Sequence, residues 1–526
     1  MFILPWAILA AGLLLALAVR VRLLDLPLER DEGEYAYAGQ LILEGHTPYG
    51  EVDNMKLPGT YYAYALLMTV FGQTARGIHL GLALWTTASA LLLFAIGRKL
   101  FDPLAGAVAA TCFAMLSLSP SALGLAGHAT HFVVLPMLAG CWGILWPGRR
   151  ERFALVLAGL AFGVAFLMKQ QAAALMLFGL LFVLSRSRSD GRRAMAAKGG
   201  LFSAGAVAPY ALLCLYLAAA GVFGNFWFWT VTYARGYVSS VGPSLGARYL
   251  FENGAETVGP NAAIWILAAA GAVLFFVRHR DRDAKVFLAG LAAFSFLAVC
   301  PGLFFRQHYF IVTFPAVGLF AGAGIAALAA GEKKSARAGG RRIAWAFAAV
   351  AAVAASAAWQ RDPFFVWDPN QVSRALYWSN PFPESVEIAK YIAASSSPDD
   401  RIAVLGSEPQ IYFYAHRRSA SRYVYAYALM EPHPYAGQLQ DQVIRELEAA
   451  RPLFMVMVRV STSWLARPDS DKRFLRWMES YVPEHYKVVG LVEIPKDEPT
   501  RYLWGADAAR PTRSVSESVF VLRRKD

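Results

Sequence analysis

Three acidic residues crowd the stretch Arg30-Asp31-Glu32-Gly33-Glu34-Tyr35, and Lys56-Leu57-Pro58-Gly59 follows in the same inter-span loop. Both motifs lie beyond a first apolar run, residues 2–19, that is long enough to span a bilayer. Acids and an amine are therefore held in a loop against a membrane, where charge without a purpose is costly. A carboxylate there can take a proton from a hydroxyl as a general base, and a lysine can neutralise an anionic lipid head group. On a short helix Asp31 and Glu34, three residues apart, share a face, while Glu32 points elsewhere. A solvated loop whose charges only fix topology is the competing explanation.

Three more groups with usable chemistry fall in loops on the same side. Lys169-Gln170-Gln171 sits at the tip of a hairpin over 153–184, where a lysine at membrane depth needs either an anionic partner or a route to the interface. Arg306-Gln307-His308-Tyr309 could fork onto phosphate oxygens or serve as an interfacial anchor. His128-Ala129-Thr130-His131 puts two imidazoles three apart. They could ligate a divalent cation, but a third ligand is not evident, so no metal is required and hydrogen bonding to a sugar or to Asp31 is favoured. The aromatic runs Asn225–Trp229 and Tyr233–Tyr237 would suit sugar rings or an interfacial belt. The candidates are thus Asp31 and Glu32 for catalysis, with Glu34, Lys56, His128, His131, Lys169, Arg306 and His308 for substrate binding.

The elements that must position these residues are mostly membrane spans. The chain has 526 residues, is 57% hydrophobic and carries a net charge of +13. Its Lys and Arg cluster between apolar runs, which speaks for cytoplasmic loops and against nucleic acid. The four cysteines all lie in apolar segments without metal or disulfide spacing. The first span lacks a basic n-region and a convincing cleavage site, so it reads as a retained anchor. Eleven spans are expected: 2–21, 77–97, 104–120, 131–146, 153–168, 170–184, 199–220, 261–277, 285–301, 309–330 and 342–359, with 153–184 short enough to be a hairpin of partial depth. Alternate loops hold 19 basic residues on one side, including Arg149, Lys333 and Lys334, against nine on the other. That asymmetry puts the acidic loop 22–76 outside the cytoplasm, although Arg20 and Arg22 pull the other way. Leu57–Phe71 is too short to span and is expected as an interfacial or re-entrant helix; residues 33–45 are expected as a surface helix with Tyr37, Leu41 and Leu43 on its apolar face.

From residue 360 the chain becomes richer in charge and proline. Helices are expected over 385–395, 408–416 and 438–450, and strands at 401–406, 453–458, 487–492 and 517–521. The expected fold is a polytopic α-helical membrane domain, 1–359, followed by a soluble α/β domain, 360–526, on the same face as Asp31. Gly406-Ser407 lacks the spacing of a dinucleotide loop, so this region is expected to cap the membrane domain.

With these residues in place, the chain resembles the GT-C superfamily of membrane glycosyltransferases, in particular the bacterial branch of protein O-mannosyltransferases and aminoarabinose transferases. The resemblance rests on Arg30–Glu32, Pro48-Tyr49 followed by Lys56–Pro58, the hairpin sequence 159–170, the segment 306–315 and the C-terminal start at 380–385. It implies a bacterial inner-membrane enzyme that transfers a hexosyl or pentosyl group from a polyprenyl-phosphate donor to a lipid, glycan or protein hydroxyl on the outer face. Asp31 would be the base of an inverting reaction, with Lys56, Lys169 and Arg306 on the phosphate and no nucleotide needed. Two departures stand out: Lys56 is followed by Leu-Pro-Gly where relatives often have two prolines, and His128–His131 replaces a second acidic residue. A lipid-linked sugar transporter would show internal repeats and mid-membrane charge pairs instead. A polysaccharide ligase or polymerase would share the phosphate chemistry but not the Arg-Asp-Glu placement.

Overall fold

Helix α1 (Leu4–Arg22) opens the chain and ends in two arginines whose charges serve the fold. Arg20 is buried and donates to the carbonyls of Ser117 and Gly124 at 3.1 and 3.2 Å. Arg22 donates to the carbonyls of Pro363, Phe364 and Trp367. Anchoring α1 to two distant segments explains why these two residues stand apart from the loop-charge bias.

The computed structural model describes residues 3–146, 148, 150–329, 336–496, 498–509 and 517–525; Arg149, Lys333 and Lys334 lie outside them. The acidic motif falls in α2 (Arg30–Leu43), which starts earlier than expected because Glu29 caps it. The Glu29 side chain accepts from Glu32 N–H at 2.9 Å and the Glu32 side chain accepts from Glu29 N–H at 3.4 Å, a reciprocal capping box. Next come α3 (Gly59–Phe71), α4 (Ala75–Leu100), α5 (Pro103–Leu116), α6 (Ala129–Ile144), α7 (Glu151–Met168), α8 (Ala173–Arg186) and α9 (Arg192–Ala219). Thr74 caps α4 and Asp102 caps α5 ahead of Pro103, the first-turn position that proline favours.

Seven described segments are long and apolar enough to cross a membrane, and three shorter apolar helices join them. The remaining expected span is the helix Arg282–Leu297. All eleven expected segments are therefore helical, and the chain is a multi-pass membrane protein. The hairpin over 153–184 is uneven: the 18 residues of α7 suffice to cross, whereas α8 is shorter. Helix α3 has the expected short, non-spanning length of 13 residues. The apolar face expected for α2 holds at Tyr37 and Leu41, but Leu43 is 40% exposed because the helix ends there.

The C-terminal residues form a five-stranded sheet of order β1-β2-β5-β3-β4. Its strands are β1 (Ile402–Leu405), β2 (Phe454–Arg459), β3 (Tyr486–Glu493), β4 (Arg501–Trp504) and β5 (Ser518–Arg524). β1 runs parallel to β2, and the other pairs are antiparallel. Four strands and the helices Phe382–Ala394, Gln410–Ala415 and Ala436–Ala450 lie where expected; β4 and the helix Arg473–His485 were not anticipated. The sheet does not stand alone. Tyr35, Ala36, Leu41, Tyr61 and Tyr64 of α2 and α3 share one apolar cluster with Ile388, Ile402, Ile411, Val456 and Val519. Gly33 permits this contact, since a β-carbon there would lie 2.6 Å from the backbone nitrogen of Gln410.

Candidate active site

A cavity of about 650 Å³ opens between α2, the α7–α8 turn, the segment Trp229–Ser239, the 301–309 segment and the tyrosines at 423–427. Asp31, Lys56, Lys169, Arg306 and His308 all line it, so residues up to 277 positions apart in sequence converge on it. Helical rotation separates the carboxylates of α2. Lys56 Nζ donates to Asp31 Oδ1 at 2.7 Å and Glu34 Oε2 at 2.6 Å, placing these two on one face. The Asp31 side chain also accepts from Tyr425 Oη at 2.8 Å.

Burial alone would favour the neutral acid at Asp31, but Lys56 and His128 outweigh it and hold this carboxyl well below the usual range. Asp31 is thus ionised and reaches the cavity. Glu34 is fully buried beneath Lys56 and accepts from Tyr61 Oη. Burial pushes its carboxyl up despite Lys56.

Other expected residues take different places. Glu32 is completely buried, points away from the cavity, and accepts from Gly127 N–H at 2.5 Å with His79 Nε2 at 3.1 Å. It is not positioned to touch a ligand in this cavity. His131 points away too: its Nε2 lies 3.4 Å from the Ser117 carbonyl. His128 is buried beside Asp31, with Nδ1 3.7 Å from both Glu29 Oε1 and Asp31 Oδ2, and its ring stacks on the cavity-lining His308 at 4.1 Å between centroids. Lys56 is committed to two carboxylates, so it is a weaker candidate for an external phosphate than its position in the sequence implied.

Among the described residues lining the cavity, the cations without an ion pair are Lys169, Arg306 and Arg235. Lys169 Nζ rests 3.8 Å from the Tyr309 ring centre, with no acid in ion-pairing range among the described residues. Burial pulls its amine down to about 7. Arg306 meets the Tyr237 hydroxyl at 3.4 Å and covers the Phe304 ring. These groups give one cavity an ionised carboxylate and several cations suited to an anion.

Asp31, His128 and His308 present ligand atoms within 4.8 Å of one another, which raises the question of a metal. The two rings lie parallel within 9°, so an ion shared by them would sit well outside both ring planes. Lys56 already holds Asp31. Zinc needs in-plane nitrogen donors at roughly 2.0–2.1 Å, and the trio as arranged does not fit it.

Several participants were not among the expected residues: Glu29, His79, Arg235, Tyr425 and Glu431, which lines the cavity and accepts from Tyr233 Oη. A signal existed for Tyr425. In Tyr423-Val424-Tyr425-Ala426-Tyr427 the three tyrosines line the cavity, while Val424 and Ala426 are buried in the opposite direction. That alternation marks an extended segment between a core and a cavity.

The fold matches known structures over nearly its full length. ArnT from Cupriavidus metallidurans, solved bound to undecaprenyl phosphate, superposes with a TM-score of 0.60 at 15% identity, covering 98% of this chain and 97% of that one. This chain has the GT-C fold. The Archaeoglobus fulgidus oligosaccharyltransferase tethered to an acceptor peptide matches at 0.53 and 13% identity, over 96% of this chain and 74% of that one. The oligosaccharyltransferase AglB from Archaeoglobus fulgidus, in complex with an inhibitory peptide and a dolichol-phosphate, matches at 0.54 and 14%, over 95% and 74%. Residues 55–213 match the family model of dolichyl-phosphate-mannose-protein mannosyltransferases. No curated protein sequence matches. The expected likeness to GT-C membrane glycosyltransferases is borne out, and on this fold Asp31 stands beside the cavity's cations.

Proposed function

We propose that this protein transfers a sugar from a polyprenyl-phosphate donor to an acceptor hydroxyl, with Asp31 as general base. The observation carrying the proposal is that Asp31 and the unpaired cations Lys169 and Arg306 face one cavity. Undecaprenyl phosphate in ArnT and dolichol-phosphate in AglB support a lipid-phosphate leaving group. The family match over 55–213 supports glycosyl transfer. In the reaction the acceptor oxygen loses its proton to the Asp31 carboxylate and bonds to the anomeric carbon. The bond from that carbon to the phosphate oxygen breaks, and configuration inverts. The leaving polyprenyl phosphate gains negative charge, which Lys169 and Arg306 stabilise where water is scarce.

Lys56 acts here on the base: it holds Asp31 ionised and aimed. Glu32 has no direct role. The group transferred is a hexosyl or pentosyl sugar, and the acceptor a lipid, glycan or protein hydroxyl. The cavity and the C-terminal sheet face the outside of the cytoplasmic membrane in this reading, as the loop charges indicate.

The test is transfer from a panel of radiolabelled polyprenyl-phosphate sugars to membrane extract by the purified protein. Asp31→Asn is expected to lower turnover by on the order of 10²-fold or more while the protein stays folded. An Asn variant keeping more than about a tenth of the activity would remove Asp31 from the base role.

A further inference from the structure

Glu32 and His79 make a contact whose proton count is fixed by geometry. His79 Nδ1 lies 3.0 Å from the Leu24 carbonyl oxygen. A carbonyl only accepts, so Nδ1 carries a proton. In a neutral ring Nε2 would then be bare, yet it stands 3.1 Å from Glu32 Oε1. A bare nitrogen against an ionised oxygen would be two acceptors facing each other, with His79 4% exposed and Glu32 not exposed at all. One further proton therefore sits in this contact. Either His79 is an imidazolium donating to a carboxylate, or Glu32 is a carboxyl donating to Nε2. In both forms the pair is neutral.

What Glu32 holds gives the contact its use. Through the capping box it fixes the first turn of α2, which carries Asp31. Through Gly127 N–H it fixes the residue before His128. Tyr64 closes the same turn by donating to the Gly127 carbonyl at 2.7 Å, and a β-carbon on Gly127 would lie 2.4 Å from the Tyr64 hydroxyl. One carboxylate thus ties together the two backbone segments that flank the candidate base. Besides Glu32, the charged group bearing on His79 is Arg20 from α1, and His128 in the turn before α6 bears on Glu32 itself.

We propose that His79 is a positioning residue for Asp31 and His128, acting through the proton it shares with Glu32. The proposal rests on the reading of Asp31 as the base. It is tested with His79→Phe, which keeps a ring and removes both nitrogens, and His79→Gln, whose amide can still donate to Glu32. His79→Phe is expected to lower kcat roughly 10–100-fold with donor KM within about twofold, the pattern of misplaced rather than missing groups. His79→Gln is expected to recover at least about a fifth of wild-type kcat.

Equal losses in the two variants, or a rise in donor KM with kcat unchanged, would overturn the proposal. Should His79→Phe fail to fold, nitrogen-15 NMR of ring-labelled wild-type protein decides, with His79→Gln used for assignment. A His79 signal with Nδ1 protonated, and Nε2 protonated or strongly hydrogen-bonded, is expected from pH 6 to 8; a bare Nδ1 would refute it. Asp31→Asn in the same transfer assay separates the two levels. If that variant is active, the base assignment falls; if it is dead and His79→Phe is fully active, only the positioning role falls.

Discussion

Replacing Lys56 with Met should damage the fold and the site together, by an amount set by its surroundings. Its ammonium is the described cation within 2.7 Å of both Asp31 and Glu34. At an effective dielectric constant of about 20, each contact carries on the order of 6 kcal/mol of gross attraction, much of it cancelled by desolvation. The Glu34 side chain is 0% exposed, so losing its partner resembles breaking a buried pair, which costs roughly 3–5 kcal/mol. An exposed pair would cost under about 1 kcal/mol. Unfolding in detergent should therefore show a loss of about 3 kcal/mol or more at pH 8.

The sign of the pH effect follows from Glu34. Burial already raises its carboxyl, and without Lys56 it rises further, so the folded variant takes up a proton as the pH falls and its deficit shrinks between pH 8 and pH 5. In the wild type the Asp31 carboxyl is depressed chiefly by Lys56, so its stabilisation is present above the unfolded value of about 3.9 and lost only at lower pH; in the variant that partner is gone, and Asp31 rises alongside Glu34, held back by His128. Adding Glu34→Gln to Lys56→Met should recover much of the loss and weaken its pH dependence. A deficit under about 1 kcal/mol, or one that Glu34→Gln leaves untouched, would refute the reasoning.

Three further outcomes are expected. Lys169 loses its charge as pH rises through about 7, so donor kcat/KM should fall by up to about tenfold per pH unit above that value, and Lys169→Arg should flatten the profile. Gly33→Ala should push α2 away from Gln410 and cost about 1–3 kcal/mol, seen as a lower midpoint of thermal unfolding and a matching loss of transfer. In a background without the four native cysteines, Asp399→Cys should react with an impermeant thiol reagent on intact cells lacking an outer barrier, and Arg280→Cys only after lysis; the reverse pattern would invert the proposed orientation.

What the sequence disclosed depended on the range of the forces involved. Asp31 and Glu34 could be put on one face because helical periodicity is local, and Lys56 could be matched to anions because unpaired charge beside a membrane needs a reason. Eleven spans and most of the sheet followed from apolar runs and strand-like alternation. Glu32 was harder: its type matched Asp31, and only the burial of its face against Gly127 and His79 separates the two. His131 shared a spacing with His128 but not a direction, because the start of α6 turns it toward Ser117. Tyr425 reaches Asp31 from 394 positions away, a pairing that no local pattern contains. β4 was missed because Arg501–Trp504 is only four residues long and partly exposed.

The apolar cluster joining α2 and α3 to the C-terminal sheet also dictates a timetable for biosynthesis. Its first residue, Leu28, emerges from the ribosome hundreds of residues before its last, Val521. At roughly 5–20 residues per second that delay is about 20–100 s. Throughout it, the helix bearing Asp31 waits at the membrane surface with its tyrosines uncovered, while the spans behind it are inserted one after another. Arg30 waits as well, since Ser407, Glu408, Asn380 and Tyr427 are all made later. The end of the molecule that carries the candidate site is therefore the last to be completed, and a nascent chain stopped before β5 would have its membrane helices in place without a finished centre. Such a chain would present an open apolar surface for quality-control proteases to recognise, and full-length synthesis becomes a condition for activity.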